Sequence, residues 1–303
     1  MLLDTNDLEG YAIQANDGSI GHLCDVYFDD RSWAVRYLVV ETGPWLMSRK
    51  VLISPVALGP ADREQRALPV ALSRAQVKDS PVIDTQKPVT RQHEISYLDY
   101  YRYPYYWTGP ALWGAQEYPR MLMDGQGGFI SVPQAAIGGR AEADLLGAMR
   151  QGRRDDPHLR SGKAIRKYTI RAQDGDVGHL HGMLLDEQSW ALRYILVKTG
   201  DWWFGHDVVV APNWIRAVDW FGCKIDVDLS RKQVREAPAF ESLAAWDRPR
   251  EGELFEHYGR RAYWTAGAEG NSTTRRDLVA LRGMRLQRIP GDGATLHAAP
   301  AED

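Results

Sequence analysis

His22 and Cys24 lie two residues apart, as do His179 and His181, so on a strand each pair shares one face. Sulfur and imidazole nitrogen are donors for zinc or copper, but two ligands do not complete a tetrahedral site. A further donor, such as His206 or a carboxylate, is required, and the competing reading is plain strand residues; no metal site is assigned. Adjacent acids at Asp29-Asp30 and Asp186-Glu187 carry groups for acid–base work, yet their position between strand-like runs favours turns. Arg36 and Arg193 sit in the middle of apolar runs, where a buried guanidinium needs a carboxylate partner. Asp29 and Asp186 recur at matching positions and are the expected partners, as internal ion pairs rather than ligand sites. The chain has no G-x-S-x-G elbow, Walker loop or C-x-x-C pair, and Tyr97 stands where a zincin helix beginning at His93-Glu94 needs its second histidine. No catalytic residue and no cofactor is expected.

The elements that must position these groups read as strands. Tyr11–Ala15 and Ile20–Phe28 flank Asp17-Gly18, a tight-turn pair, and so predict a hairpin. A turn at Asp29–Ser32 leads into a strand at Trp33–Val40, with Trp33, Val35, Tyr37 and Val39 on one face and Ala34, Arg36, Leu38 and Val40 on the other. Short strands are expected at Lys50–Ile53, around Val56–Leu58 and at Ala67–Leu72. Ser73 then reads as the N-cap of a helix through Lys78. About six short strands and one helix in roughly 70 residues fit a small closed barrel, which leaves no sheet edge exposed.

Residues 11–107 return at 168–264, at a constant offset of 157 positions without a gap. Asp17-Gly18 returns as Asp174-Gly175, Ser32-Trp33-Ala34 as Ser189-Trp190-Ala191, Arg36-Tyr37 as Arg193-Tyr194, and Tyr106-Trp107 as Tyr263-Trp264. The fold class expected is therefore mainly β: two small barrels in pseudo-symmetric tandem, with short helices and an irregular connecting segment. The boundaries expected are a first barrel at 1–82, an aromatic-rich extension and linker at 83–165, a second barrel at 166–239, and an extension with a C-terminal tail at 240–303.

These residues carry a family resemblance. Gly10-Tyr11-x-Ile13, Asp17-Gly18-x-Ile20-Gly21, Asp29-Asp30-x-x-Trp33, Arg36-Tyr37-Leu38-Val39-Val40 and Lys50-Val51-Leu52-Ile53-Ser54-Pro55 resemble the PRC-barrel family, as does Leu72-Ser73-Arg74-x-Gln76-Val77-x-x-Ser80-Pro81. The family takes its name from the cytoplasmic domain of the photosynthetic reaction centre H subunit and includes the C-terminal domain of the ribosome maturation factor. The resemblance implies a soluble protein with two barrels in one chain, and, through the maturation factor, an alternative role as an RNA-associated or ribosome-assembly factor.

Net charge and hydropathy narrow the function further. A formal net charge of −3 supplies no overall attraction to phosphate, which argues against nonspecific nucleic-acid binding. No stretch approaches the roughly 18 apolar residues of a membrane span, and a cytoplasmic location is expected. Cys24 and Cys223 occupy non-equivalent repeat positions and read as reduced thiols. Tyrosines between 97 and 107 could stack bases, but packing on each barrel explains them better. After Thr42-Gly43 the first copy carries Trp45, Leu46 and Met47, and after Thr199-Gly200 the second carries Trp202, Trp203 and Phe204. These loops are the candidate contact surface, for the other barrel, for a second copy in a homodimer, or for an unknown protein partner. The reading reached is a non-catalytic interaction or scaffold module, with metal binding or catalysis as the weakly supported alternative.

Overall fold

The computed structural model describes residues 1–82, 89–122, 158–200 and 205–264. It is mainly β, with two sheets and a few short helices. In the first sheet, strands β2 (Ala12–Ala15), β3 (Gly18–Asp29), β4 (Ala34–Thr42), β5 (Lys50–Ile53) and β6 (Ala67–Pro69) follow the order β5-β4-β3-β2-β6. The second sheet repeats this plan. Its strands β8 (Thr169–Ala172), β9 (Gly175–Asp186), β10 (Leu192–Thr199), β11 (Asp207–Val210), β12 (Ile215–Asp219) and β13 (Lys224–Val227) run in the order β11-β10-β9-β8-β13-β12.

Local chemistry sets these boundaries twice over. Gly18 and Gly175 adopt φ of +135° and +129° at the hairpin turn, a backbone region that suits glycine. The aspartate before each glycine then reaches a helix: Asp17 Oδ1 accepts from Arg74 N at the start of α2 (Arg74–Lys78), and Asp174 Oδ1 accepts from the equivalent Arg231 N. Ser73 and Ser230 form full capping boxes with Gln76 and Gln233, satisfying amides that a helix start leaves bare.

Neither strand path closes on itself as a ladder among the described residues. In the first unit the segments beyond β5 and β6 meet only at the isolated bridge Leu58–Val70. The reason lies in Pro55 and Pro212. Each opens a one-turn 3-10 helix, Pro55–Ala57 and Pro212–Trp214, that carries the chain from one end of the path toward the other. Proline has no N–H to give a ladder, so the strand expected around Val56–Leu58 is a capped turn instead, with Ser54 Oγ accepting from Val56 N. Trp33 also departs from expectation. Its φ of +51°, matched by +58° at Trp190, places it in the left-handed turn before β4 rather than on the strand. From Ala34 onward both faces of β4 are buried, and only Glu41 is exposed.

Two N-terminal arms cross between the units. Strand β1 (Leu2–Asp4) pairs with β9 of the second sheet, with Leu2 opposite Asp186 and Asp4 opposite Leu184. At the same offset of 157, β7 (Leu159–Ser161) pairs with β3 of the first sheet, with Leu159 opposite Asp29 and Ser161 opposite Tyr27. A single-turn helix follows each arm, α1 (Thr5–Leu8) and, in the second copy, Gly162–Ile165, started by caps from Asp4 and Ser161. Between the units, Ala34 bridges its own repeat mate Ala191, with Val35 N donating to Trp190 O and Leu192 N to Trp33 O. The sheets are thus related by a pseudo-twofold axis that passes between these alanines.

Leu8 and Ile165 anchor the arms and are each 1% exposed. Truncating either to alanine is expected to cost about 2–4 kcal/mol, because a buried leucine or isoleucine loses its transfer energy and leaves a cavity. Urea unfolding of Leu8→Ala and Ile165→Ala tests this; a loss below about 1 kcal/mol would mean that the arms are not anchored.

Candidate functional site

Each unit encloses one polar cluster, and the two clusters are built from equivalent residues. In the first, helix α3 (Arg91–Tyr101) delivers Glu94, which is 1% exposed. Thr90 caps that helix, and Glu94 faces the sheet rather than solvent. Its Oε1 accepts from the hydroxyl groups of Tyr106, at 2.6 Å, and Tyr37, at 3.2 Å. Its Oε2 lies 3.0 Å from Arg91 Nη1 and 2.7 Å from His158 Nε2. In the second unit the helix Arg248–His257 brings in Glu251, which accepts from the Tyr194 and Tyr263 hydroxyl groups and pairs with Arg248 at 2.6 Å. There Met1 stands at the position of His158, so only the first cluster contains an imidazole.

Arg36 and Arg193 lie beside these carboxylates under an aromatic lid. The Arg36 guanidinium sits 3.9 Å from the centre of the Tyr106 ring and 4.8 Å from that of Trp113, while Arg193 lies 4.9 Å from the Tyr263 ring. Arg193 Nη2 approaches Asp186 Oδ2 to 3.1 Å. The first copy is looser: Arg36 Nη2 is 3.9 Å from Asp29 Oδ2 and donates instead to Ser32 Oγ, while Nη1 donates to Leu112 O. Asp29 also closes its turn, with Oδ1 accepting from Arg31 N and Ser32 N.

The chemistry of this cluster is inward-facing. Burial pushes the Tyr37 and Tyr106 hydroxyl groups, with the Glu94 charge beside them, far above the usual phenol range, so both act as neutral donors. Arg91 stacks 3.9 Å over Trp107, and Arg248 stacks 4.2 Å over Trp264. The carboxylate therefore ties a helix, a strand and the aromatic lid together. Neither Glu94 nor Glu251 stands out in the sequence beyond a fragment of a metal motif. The signal that could have found them is the spacing Arg91-x-x-Glu94, which returns as Arg248-x-x-Glu251 at the same offset as Tyr106-Trp107.

The other sequence candidates are scattered. His22, His179 and His181 are exposed, His181 Nδ1 pairs with Asp207 at 3.0 Å, and Cys24 Sγ donates to Val39 O from a half-buried position. No group of three or more metal-capable side chains assembles among the described residues. Trp45 turns back onto its own unit, its indole N–H donating to Ile20 O and its ring covered by Arg74. Leu46 is buried and Met47 is 90% exposed. Trp202, Trp203 and Phe204 lie outside the described residues, as does the 265–303 part of the C-terminal tail. No helix among the described residues is long and apolar enough to cross a membrane.

Residues 3–85 match the family model of the PRC-barrel domain. No curated protein matches the chain.

Two outcomes follow for these clusters. Glu94→Ala is expected to cost about 3–5 kcal/mol, since it strips a buried carboxylate from Arg91 and His158. Glu251→Ala is expected to cost less, because its partner Arg248 is 56% exposed and regains water. Chemical denaturation of both variants checks the order, and equal losses would contradict it. For Asp186, burial works to raise the carboxyl, but the Ser189 hydroxyl and the Arg193 charge outweigh it and hold the group below its ordinary value of 3.8. A folded value below the unfolded one stabilises above the unfolded value, and the contribution is lost as pH falls through the folded one. Asp186→Asn should thus be less stable than wild type by about 1–3 kcal/mol at pH 7, with the gap closing below pH 3.8. A gap that persists unchanged in acid would exclude the ion pair as its source.

Proposed function

We propose that the chain is a non-catalytic protein-interaction module, built as two PRC-type barrels in tandem, whose contact surface is formed by loops that differ between the copies. The family match over 3–85, the gapless repeat and the shared order of the equivalent strands, to which the second sheet adds β12, support the tandem reading. One observation carries the contact reading. Phe221, at the turn between β12 and β13, is fully exposed, while the matching turn of the first copy is the polar Arg63-Glu64-Gln65. Asp219 holds that turn in shape, accepting from Phe221 N and Gly222 N, so the ring is displayed on an ordered tip. Removing a phenyl ring from water is worth about 1.5–3 kcal/mol, a gain that a partner supplies here.

The buried clusters support the non-catalytic half of the reading. Glu94 and the Tyr37 and Tyr106 hydroxyl groups are bonded to one another and have left solvent, an arrangement that holds α3 to the sheet. Met47 is a second exposed apolar side chain, 90% accessible, in a loop that differs between the copies.

Phe221→Ser, and separately Trp202, Trp203 and Phe204 all changed to serine, are expected to lose a co-purifying protein by at least about tenfold, a loss of 1.4 kcal/mol. Melting temperature should stay within about 2–4 °C of wild type. Capture from the native host with mass spectrometry of protein and RNA provides the readout. Retention of every partner by both variants contradicts the proposal, and recovery of RNA alone favours an RNA-associated role.

A further inference from the structure

The two arms have opposite charge. Residues 1–9 carry Asp4, Asp7 and Glu9, and the matching residues 158–166 carry Arg160, Lys163 and Arg166. Each arm lies on the opposite unit, and the receiving strands differ where the arm crosses them, a carboxylate in the first unit and a glycine in the second. The basic arm meets acids of the first unit: Arg160 Nε donates to Asp30 Oδ2 at 2.8 Å, and Asp25 accepts from Ser161 Oγ at 2.5 Å and from Lys163 N at 3.0 Å. At the place of Asp25 the second unit has Gly182, beneath Asp4 and Asn6 of the acidic arm. A side chain there would meet Asn6 Nδ2 at 2.5 Å. The fit is also steric, since Thr5 of the acidic arm is replaced by Gly162, where an added Cβ would lie 2.8 Å from Val26 Cγ2.

On the pseudo-twofold axis itself a residue meets its own repeat mate. Glu9 Oε2 accepts from Arg166 Nη1 at 3.1 Å, and these positions differ by 157. Lys163 joins Glu9 from the same side. Burial works to raise the Glu9 carboxyl, but the bonds from Lys163 and Arg166 prevail and hold it below its ordinary value.

We infer that these residues form an address code, which makes the arm face a docking surface for the unlike half and rejects pairing of like halves from two chains. Pairing first unit with first unit would set Glu9 against Glu9 and Asp4 against Asp25. Pairing second with second would set Arg166 against Arg166 and leave Ser161 and Lys163 facing Gly182 with no carboxylate. The chain closes on itself because only the unlike combination satisfies every position. Like-charge juxtaposition is a recognised means of excluding wrong partners.

The test separates repulsion from simple attraction in the full-length chain. Glu9→Arg reproduces the second-with-second encounter at the axis, Arg166→Glu the first-with-first encounter, and Glu9→Gln and Arg166→Gln remove attraction without repulsion. Each reversal is expected to lower the melting temperature by roughly 2–4 °C and each neutral change by less than half as much, with the difference shrinking in high salt. Ser161→Asp reproduces the Asp4–Asp25 clash, and adding Asp25→Gly recreates the pairing seen at Asp4 and Gly182. The double variant is expected to melt above Ser161→Asp. Neutral changes as costly as reversals, no effect from either reversal, or a double variant that melts below Ser161→Asp would each overturn the code.

Discussion

Two reciprocal additions of a three-residue strand around a pseudo-twofold axis hold this molecule in its observed form. Each unit takes a strand from the other: Leu2–Asp4 lies along β9, and Leu159–Ser161 lies along β3. Those receiving strands are the longest in their sheets and would otherwise present a row of unpaired backbone groups at this end. The arms satisfy them, bury Leu3, Leu8, Leu159 and Ile165, and bring Ala34 against Ala191. Neither sheet is complete without residues from the other half.

The buried clusters depend on this arrangement. Trp113 crosses from the segment after α3 to donate its indole N–H to Ser189 O in the turn of the second unit, and the same ring covers Arg36. His158, the first residue of the exchanged basic arm, reaches Glu94 at 2.7 Å while its carbonyl accepts from Asp30 N. Helix, turn and arm therefore share one set of polar contacts at the joint. A guanidinium kept 3% exposed under two aromatic rings is tolerable there because its terminal nitrogens donate to Leu112 O and Ser32 Oγ and the Asp29 carboxylate lies 3.9 Å away.

Repetition made most of the local structure legible. The hairpin at Asp17-Gly18, the cap at Ser73 and the strand through Arg36 recur with the same residue types, and each rests on short-range chemistry. The arms were not legible, because three residues carry no periodicity and their partners lie 130 or more positions away. Glu94 was hidden for a related reason: nothing beside it in sequence announces that Tyr37, Tyr106 and His158 converge there. Trp33 and Val56 went astray where one backbone torsion decided the outcome, a left-handed φ in one case and a proline-led turn in the other. The expected Arg–Asp pairs could be named from matched positions, but the difference between 3.1 Å at Arg193 and 3.9 Å at Arg36 depends on serine and carbonyl competitors that only the fold supplies.

Hydrogen exchange on a chain lacking residues 1–8 tests the reciprocal exchange most directly. Loss of amide protection concentrated at Glu187, whose N–H donates to Met1 O, and at Leu185 opposite Leu3, with Asp30, whose N–H donates to His158 O, and Phe28 opposite Arg160 still protected by the second arm, is the predicted result. Loss confined to residues 12–29, with Leu185 and Glu187 unchanged, would show that the arm belongs to its own unit and would contradict the account.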